Sequence, residues 1–196
     1  MARPRKFDEA DVLAAARDEF WSRGYAATSV EDLSAATGLG KGSLYGAFGD
    51  KHTLFLRALD FYCTTAIDGV GTQLRAPDRN AYDRLTRHIR KQAAAVAADK
   101  ERRGCMMSKS AAELGTSDEA AARIIERSLA TWRSELVDCI KAAQREGSID
   151  RKQNPQALAT MLLGFLRGLE ALWKGGAKPA QIKAAAEEII ALIPAG

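Results

Sequence analysis

Residues 119–147 constrain the fold more than any other stretch of this chain. Ile125, Leu129, Trp132, Leu136, Cys139, Ile140 and Ala143 recur at steps of three and four, and the run stops at Gly147. An apolar stripe at this period defines an amphipathic helix, because a strand repeats every second residue. The same grammar continues along the chain. Asp8 is placed to cap a first helix, with Glu9 and Asp11 in its first turn and Val12, Leu13, Ala16 and Phe20 on its apolar side; Gly24 stops it. Thr28–Glu31 reads as a T-x-x-E capping box opening a second helix, with Val30, Leu33 and Ala36 on one face and an end at Gly38. A short third helix is expected from about Lys41 to Phe48. Asp50 then caps a long fourth, carrying Leu54, Phe55, Ala58, Leu59 and Tyr62.

After Pro77, Tyr82, Leu85, Ile89, Gln92 and Val96 keep the helical period, and a shorter helix covers Cys105 to Leu114. Pro155 opens a helix with Leu158, Leu162, Phe165, Leu169 and Leu172, broken at Gly175–Gly176. Pro179 starts the last, with Ile182, Ala186, Ile189, Ile190 and Ile193, and Pro194 ends it. No alternating strand and no internal repeat interrupts this pattern. The expected fold is all-α, about nine helices: a three-helix head over residues 1–50 and a larger helical body over 51–196. The long fourth helix joins them, since no Gly/Ser-rich linker intervenes.

Composition removes several function classes. The chain has 196 residues, of which 46% are hydrophobic and 28% charged, a balance that supports a packed core rather than disorder. No apolar run approaches the ~18 residues of a membrane span. The MARPRKF start leads directly into charged residues and is not read as a secretory signal, so a cytoplasmic protein without a membrane partner is expected. Cys63, Cys105 and Cys139 are too few and too scattered for a disulfide framework. With only His52 and His88 and no CxxC or HxxxH, neither a metal site nor a cofactor is expected. Catalysis needs a nucleophile beside a base, paired carboxylates or a metal; no histidine lies near Cys105 in sequence, so the chain does not read as an enzyme. The net charge of +4 is weak support for a nucleic-acid partner, because residues 1–55 hold 7 Lys/Arg and 8 Asp/Glu, a net of −1.

Placement of charge carries more. SVEDLSAATGLGKGSLYGAF, residues 29–48, is helix, glycine turn, helix. Leu33, Ala36, Leu39, Leu44 and Phe48 can share one small core, the arrangement of a helix-turn-helix whose second helix enters the major groove of DNA. The outward face of that helix holds Lys41, Gly42, Tyr45 and Gly46, with Ser43 at its edge. Lys41 suits a phosphate or a guanine edge, Ser43 a base edge, and the Tyr45 hydroxyl a phosphate oxygen. Gly42 and Gly46 each cost ~1 kcal/mol of helix stability relative to alanine. Their return is proximity, since no side chain holds the backbone off the groove. Lys51 adds an amide and an ammonium for one phosphate.

The run FWSRGYAATSVEDLSAATGLGKGSLYGAFGDKHTLFLRAL, residues 20–59, resembles the TetR family of bacterial repressors. That resemblance implies DNA contacts at Thr28 and Ser29, at Lys41, Gly42, Ser43 and Tyr45, and at Lys51. It also implies a ligand-released repressor that reads a palindromic double-stranded operator as a homodimer, nucleoid-associated when bound. The chain departs from the family pattern at Gly40, where serine commonly caps the helix, and at Gly46 and Ala47, where larger groups often touch bases. Arg3, Arg5 and Lys6 could form an arm reaching phosphate or minor groove, or a solvated terminus.

For the body, Gly164 and Gly168 form a small-residue strip flanked by Leu162, Phe165, Leu169 and Leu172, and the last helix is an Ile/Ala stripe. With the resemblance, this implies a four-helix dimer seam using Leu162, Gly164, Phe165, Gly168, Leu172, Ile182 and Ile189, with closure of the monomer's own core as the alternative reading. The resemblance also implies a pocket for a small apolar or amphipathic effector. Phe61, Tyr62, Tyr82, Trp132, Phe165 and Trp173 are its candidate walls, with plain core as the alternative reading. Cys105 is an electrophile and oxidant sensor if a helix start near Arg102, Arg103 or Lys109 favours its thiolate, with a buried inert cysteine or a mere pocket-lining residue as the alternatives. Cys63 and Cys139 read as structural. His52 is expected to be exposed beside Lys51, with a DNA contact as its alternative, and His88 to be solvated, with a polar pocket role as its alternative.

Overall fold

Side-chain caps decide where most of the helices begin. The computed structural model describes residues 7–196, which hold nine helices and no strand. α1 (Glu9–Arg23) starts where Asp8 Oδ1 accepts the Ala10 amide at 2.8 Å. α2 (Val30–Thr37) and α3 (Lys41–Phe48) follow. α4 (Lys51–Leu74) is capped by Asp50, which accepts the Thr53 amide at 2.7 Å; bonds from Thr53 hold the Asp50 carboxyl below its usual range. Asn80 Oδ1 takes the Asp83 amide at 2.8 Å to open α5 (Ala81–Ala98). After α6 (Met106–Leu114), Asp118 Oδ1 accepts from Ala121 at 3.0 Å and opens α7 (Glu119–Arg145). Asn154 Oδ1 takes two amides ahead of α8 (Pro155–Lys174), and Pro179 begins α9 (Pro179–Ala191). Proline suits both starts, having no amide to leave unpaired.

One cap departs from the sequence reading. The box of α2 falls a residue later than Thr28–Glu31: the Ser29 hydroxyl accepts the Asp32 amide at 3.0 Å, and Asp32 Oδ2 accepts the Ser29 amide at 2.8 Å. Two overlapping T/S-x-x-E/D patterns compete here. Thr28 is removed from the competition because its hydroxyl donates to the Gly24 carbonyl at 2.6 Å and closes the reversal after α1. Bonds from the Ser29 side chain and amide hold the Asp32 carboxyl below its ordinary range.

The chain forms two compact units: residues up to Thr65 with Met106–Ile125, and Ala66–Cys105 with Glu126–Gly196. The first has a core of Phe20, Leu33, Leu44, Phe48, Leu54, Phe55 and Leu59, none more than 2% exposed. Phe20 meets Phe55 edge-on with ring centroids 5.2 Å apart. The expected core member Ala36 is exposed, and Leu39 is half-buried. The second unit packs the stripe that opened the sequence analysis: Trp132, Leu136 and Ile140 of α7 join Leu85 and Ile89 of α5, Leu162, Leu166 and Leu169 of α8, and Ile182 and Ala186 of α9. Each large aliphatic buried this way contributes roughly 1.5–3 kcal/mol.

Candidate nucleic-acid interface

The geometry of α3 follows from its two anchors. Leu44 and Phe48, one turn apart, are buried at 0% and 2% exposure against the head. The turn that brings α3 there begins at Gly38, whose φ of +69° is left-handed and ends α2. Because one side of a single-turn pair is committed to the core, the opposite side of α3 faces outward. Lys41, Gly42, Ser43 and Gly46 are all exposed, and Tyr45 is half-buried. A Cβ added at Gly42 or at Gly46 would meet nothing within 4 Å. Packing in this chain therefore does not require either glycine, although each weakens the helix by ~1 kcal/mol. What they leave is bare backbone along an exposed, positively charged face.

Lys51 stands at the first turn of α4 with its Nζ 4.6 Å above the centre of the Tyr25 ring. Burial, then the carboxylates of Asp50 and Asp118, push the Tyr25 hydroxyl above its usual pKa, so it stays neutral beside that cation. Arg23 bridges the end of α1 to Asp32 of α2 at 3.0 Å. Arg57 of α4 lies over the Phe48 ring at 4.9 Å and pairs with Glu9. The face is thus presented by a cross-braced three-helix head.

The head has a further brace on α6. Glu113 accepts the amides of Tyr25 at 3.0 Å and Ala26 at 2.7 Å, in the turn between α1 and α2. One turn earlier, Lys109 Nζ donates to the carbonyls of Trp21 at 3.1 Å and Ser22 at 2.8 Å, at the end of α1. Lys109 satisfies orphan carbonyls and Glu113 orphan amides of one corner. Gly24 is required there twice: its φ is +92°, and a Cβ would come within 2.8 Å of a Glu113 oxygen. His52 keeps a 41% exposed side chain, as expected, but also bonds to Asp118 at 2.5 Å. Sequence reasoning missed Lys109, Glu113 and Asp118. Their partners lie 66 to 88 residues away, and only the i,i+4 spacing of Lys109 and Glu113 marked a shared face.

The other expected site residues sort as follows. Ser29 is exposed with its hydroxyl in the cap, whereas Thr28 is 0% exposed and turned inward, so its side chain offers nothing to a ligand. Arg3, Arg5 and Lys6 lie outside the described residues. Phe61 and Tyr62 belong to the first unit, half-buried against Arg17 and Trp21 respectively. Tyr82, Cys105, Trp132 and Phe165 belong to the second. Cys105 is 6% exposed, directly before α6. Trp173 is 5% exposed; its indole donates to the Asp99 carbonyl at 2.9 Å, and Arg102 lies over its ring at 4.3 Å. Cys63 and Cys139 are buried, and burial pushes the Cys139 thiol up.

On α8, Gly164 and Gly168 are exposed together with Met161 at 47% and Leu172 at 58%, while Phe165 of α8 and Ile189 of α9 are half-buried. Leu162 and Ile182, expected in the seam, are instead core at 0% and 1% exposure, because their helical phase points them at α5 and α7. His88 also differs from expectation. It is fully buried, accepting from the Trp132 indole at 3.2 Å and bonding through Nδ1 to Gln73 at 3.1 Å. Among the described residues no group of three His, Cys, Asp or Glu could hold a metal, and no helix is long and apolar enough to cross a membrane.

A helix-turn-helix head with a bare second helix defines the class of nucleic-acid-binding regulators. The family comparison places the chain within that class. Residues 12–58 match the model for bacterial regulatory proteins of the tetR family, and residues 81–189 match the tetracyclin repressor-like C-terminal domain. The chain belongs to the TetR family of transcriptional regulators. It is 34% identical to the uncharacterized HTH-type transcriptional regulator YezE of Bacillus subtilis over 65% of each chain, so the match spans just under two thirds of that relative. It is 27% identical to the HTH-type transcriptional repressor ComR of Escherichia coli, over 89% of this chain and 83% of ComR. Among solved structures, the TetR family transcriptional regulator CifR, a cysteine mutant complexed with 26-bp double-strand operator DNA, superposes with a TM-score of 0.80 at 25% identity. That alignment covers 98% of this chain and 100% of CifR.

Proposed function

We propose that this chain is a cytoplasmic, ligand-released repressor that grips a palindromic operator as a homodimer. The observation that carries the reading is the outer face of α3, where two glycines with open space above them lie beside Lys41, with Lys51 at the start of the next helix. Helix backbone can there approach base edges, while Lys41, the Tyr45 hydroxyl, Ser29 and the first amides of α4 take phosphates. The CifR complex with operator DNA and the repressor ComR support the assignment. One head covers a single half-site, so specificity calls for two heads about one helical repeat apart. The exposed strip of Met161, Gly164, Gly168 and Leu172 on α8 is the face we assign to the seam, with Phe165 and Ile189 at its border. The effector, a small apolar or amphipathic molecule, acts by binding better to a conformer whose heads no longer match successive grooves.

The test is fluorescence anisotropy on the DNA upstream of the protein's own gene. Tyr45→Ala and Lys51→Ala are expected to weaken binding at least fivefold on any sequence the protein binds; unchanged affinity in both overturns the assignment of this face. Leu172→Glu is expected to convert the dimer to monomer in sedimentation, and a dimer that persists removes the α8 seam.

A second reading uses Cys105. α6, which carries Lys109 and Glu113, begins at the residue after it, so an adduct on this thiol sits at the head of the brace. Cys105→Ser is expected to abolish release of DNA by an electrophile. Release that persists in the variant rules this reading out.

A further inference from the structure

The second unit contains a cleft that the repressor reading leaves unused. It is a space of about 270 Å³ between the last turns of α4, the connection to α5, and one stripe of α5. That size is just under the ~300–1,000 Å³ common for small-molecule sites, and fits a compact ligand rather than an extended one. Its lining is cationic: Arg79, Arg84, Arg87 and Lys91 stand among the lining residues with a single carboxylate, Asp78. Arg84, Arg87, His88 and Lys91 occupy positions i, i+3, i+4 and i+7 of α5, so the helix itself aligns them.

Two features separate this cleft from an ordinary solvated surface. First, the neighbouring arginines of the same unit have carboxylate partners: Arg75 with Glu135 at 2.9 Å, Arg90 with Glu187 at 2.8 Å, and Arg167 with Glu170 at 3.0 Å. Among the described residues no carboxylate pairs with Arg87 or Lys91. Like charges at i,i+4 on a helix repel one another, a repulsion that a bound anion offsets. Second, the floor is built. Arg84 donates to the carbonyls of Ala76 at 3.3 Å and Arg79 at 2.9 Å, fixing the connecting loop. His88 and Gln73 are locked to one another, and Gln73 Nε2 donates to the Gly69 carbonyl at 2.8 Å. The Trp132 indole N–H donates to His88 Nε2, which assigns the proton to Nδ1 and makes Gln73 Oε1 its acceptor. Burial, and to a lesser extent the positive charges of Arg167 and Lys91, hold His88 neutral down to about 4, so the floor itself adds no charge to the cleft.

We propose that this cleft is a binding site for a small polyanion, a molecule bearing several carboxylates or a phosphate group. Arg87 and Lys91 take the charge, Arg84 holds the loop that closes one side, and the Gln73–His88–Trp132 chain couples the floor to the core of the unit. The binding itself is independent of DNA recognition and of the apolar or amphipathic effector proposed above; only a regulatory use of this second ligand rests on the repressor reading.

The experiment is titration calorimetry on the full chain without DNA, at constant ionic strength, using citrate and pyrophosphate as probes of the carboxylate and phosphate arms. The unsubstituted protein is expected to bind at least one of them saturably at one per chain. The Arg87→Gln/Lys91→Gln double variant is expected to weaken that binding at least tenfold. Arg90→Gln, on the same helix but paired with Glu187, and Lys51→Ala, on the proposed DNA face, are expected to stay within twofold. Arg87 and Lys91 are exposed, so the double variant keeps its core, which circular dichroism verifies. No saturable binding of either probe, equal binding by the double variant, or a loss that follows Lys51→Ala instead, overturns the site. None of these outcomes depends on operator binding, so failure here and failure of the repressor reading are separate results.

Discussion

His88 makes the stability of this protein depend on pH in a way that can be calculated. The imidazole is 0% exposed, and its pKa falls from an ordinary 6.5 to about 4, with burial the largest cause. Between those two values the unfolded chain binds a proton that the folded chain refuses. Stability therefore rises with pH through this window, is complete above about 6.5, and is lost as pH falls toward 4. At ~1.4 kcal/mol per unit over this window, the loss from this one group reaches on the order of 3 kcal/mol. Carboxylates held below their usual range, including Asp32 and Asp118, add an acid loss of their own, but theirs lies lower, as pH falls through and below the ordinary carboxylate value. The measurement is urea unfolding at fixed protomer concentration from pH 7 to pH 4, for the parent and for His88→Gln. The variant is less stable at neutral pH, since it gives up the Trp132 and Nδ1 bonds, but its curve is flatter above pH 4. Parallel curves for the two proteins refute the buried, neutral histidine.

Further predictions follow from the head. Gly46→Ala adds a side chain into open space inside α3, so it is expected to stabilise the head by up to about 1 kcal/mol while weakening operator binding; a stabilised protein with unchanged affinity shows that the glycine serves no close approach. Ser29→Ala is expected to cost about 1 kcal/mol in chemical denaturation, because the hydroxyl caps α2, and Thr28→Val to cost a comparable amount by orphaning the Gly24 carbonyl; a neutral Ser29→Ala contradicts the shifted capping box. Glu113→Ala leaves the amides of Tyr25 and Ala26 without their acceptor and is expected to raise hydrogen exchange at those two positions at least tenfold. Unchanged exchange there dissolves the α6 brace.

Much of this architecture was legible in the residues. Helix existence followed from the 3.6 period and from Asp8, Asp50, Pro155 and Pro179, because caps and prolines act within one or two residues of where they stand; the caps at Asn80 and Asn154 emerged only with the structure. The outward face of α3 was legible for the same reason: once Leu44 and Phe48 are core, helix geometry fixes where Lys41, Gly42, Ser43 and Gly46 point. What was not legible depends on contacts far apart in sequence. Thr28 and Ser29 offer two equivalent caps, and the choice between them is made by the Gly24 carbonyl. His88 read as solvated because it only flanks the apolar face of its helix, yet the fold brings it to Trp132. Lys109 and Glu113 showed only a shared face through their i,i+4 spacing, and nothing local pointed to the corner formed by residues 21–26 that they hold. Leu162 and Ile182 belong to apolar stripes wide enough to serve a core and a seam together, and period alone does not say which edge of a stripe is covered.

The face around α3 is proposed to hold DNA through phosphate contacts, and the salt dependence of operator binding tests them most directly. Each phosphate neutralised contributes ~0.9 to the slope of log affinity against log salt concentration. Lys41→Ala and Lys51→Ala together are expected to make the slope shallower by about 1–2 per head while leaving the fold and the dimer intact. A slope identical to the parent's, measured on the same operator, contradicts the claim that this face holds the DNA.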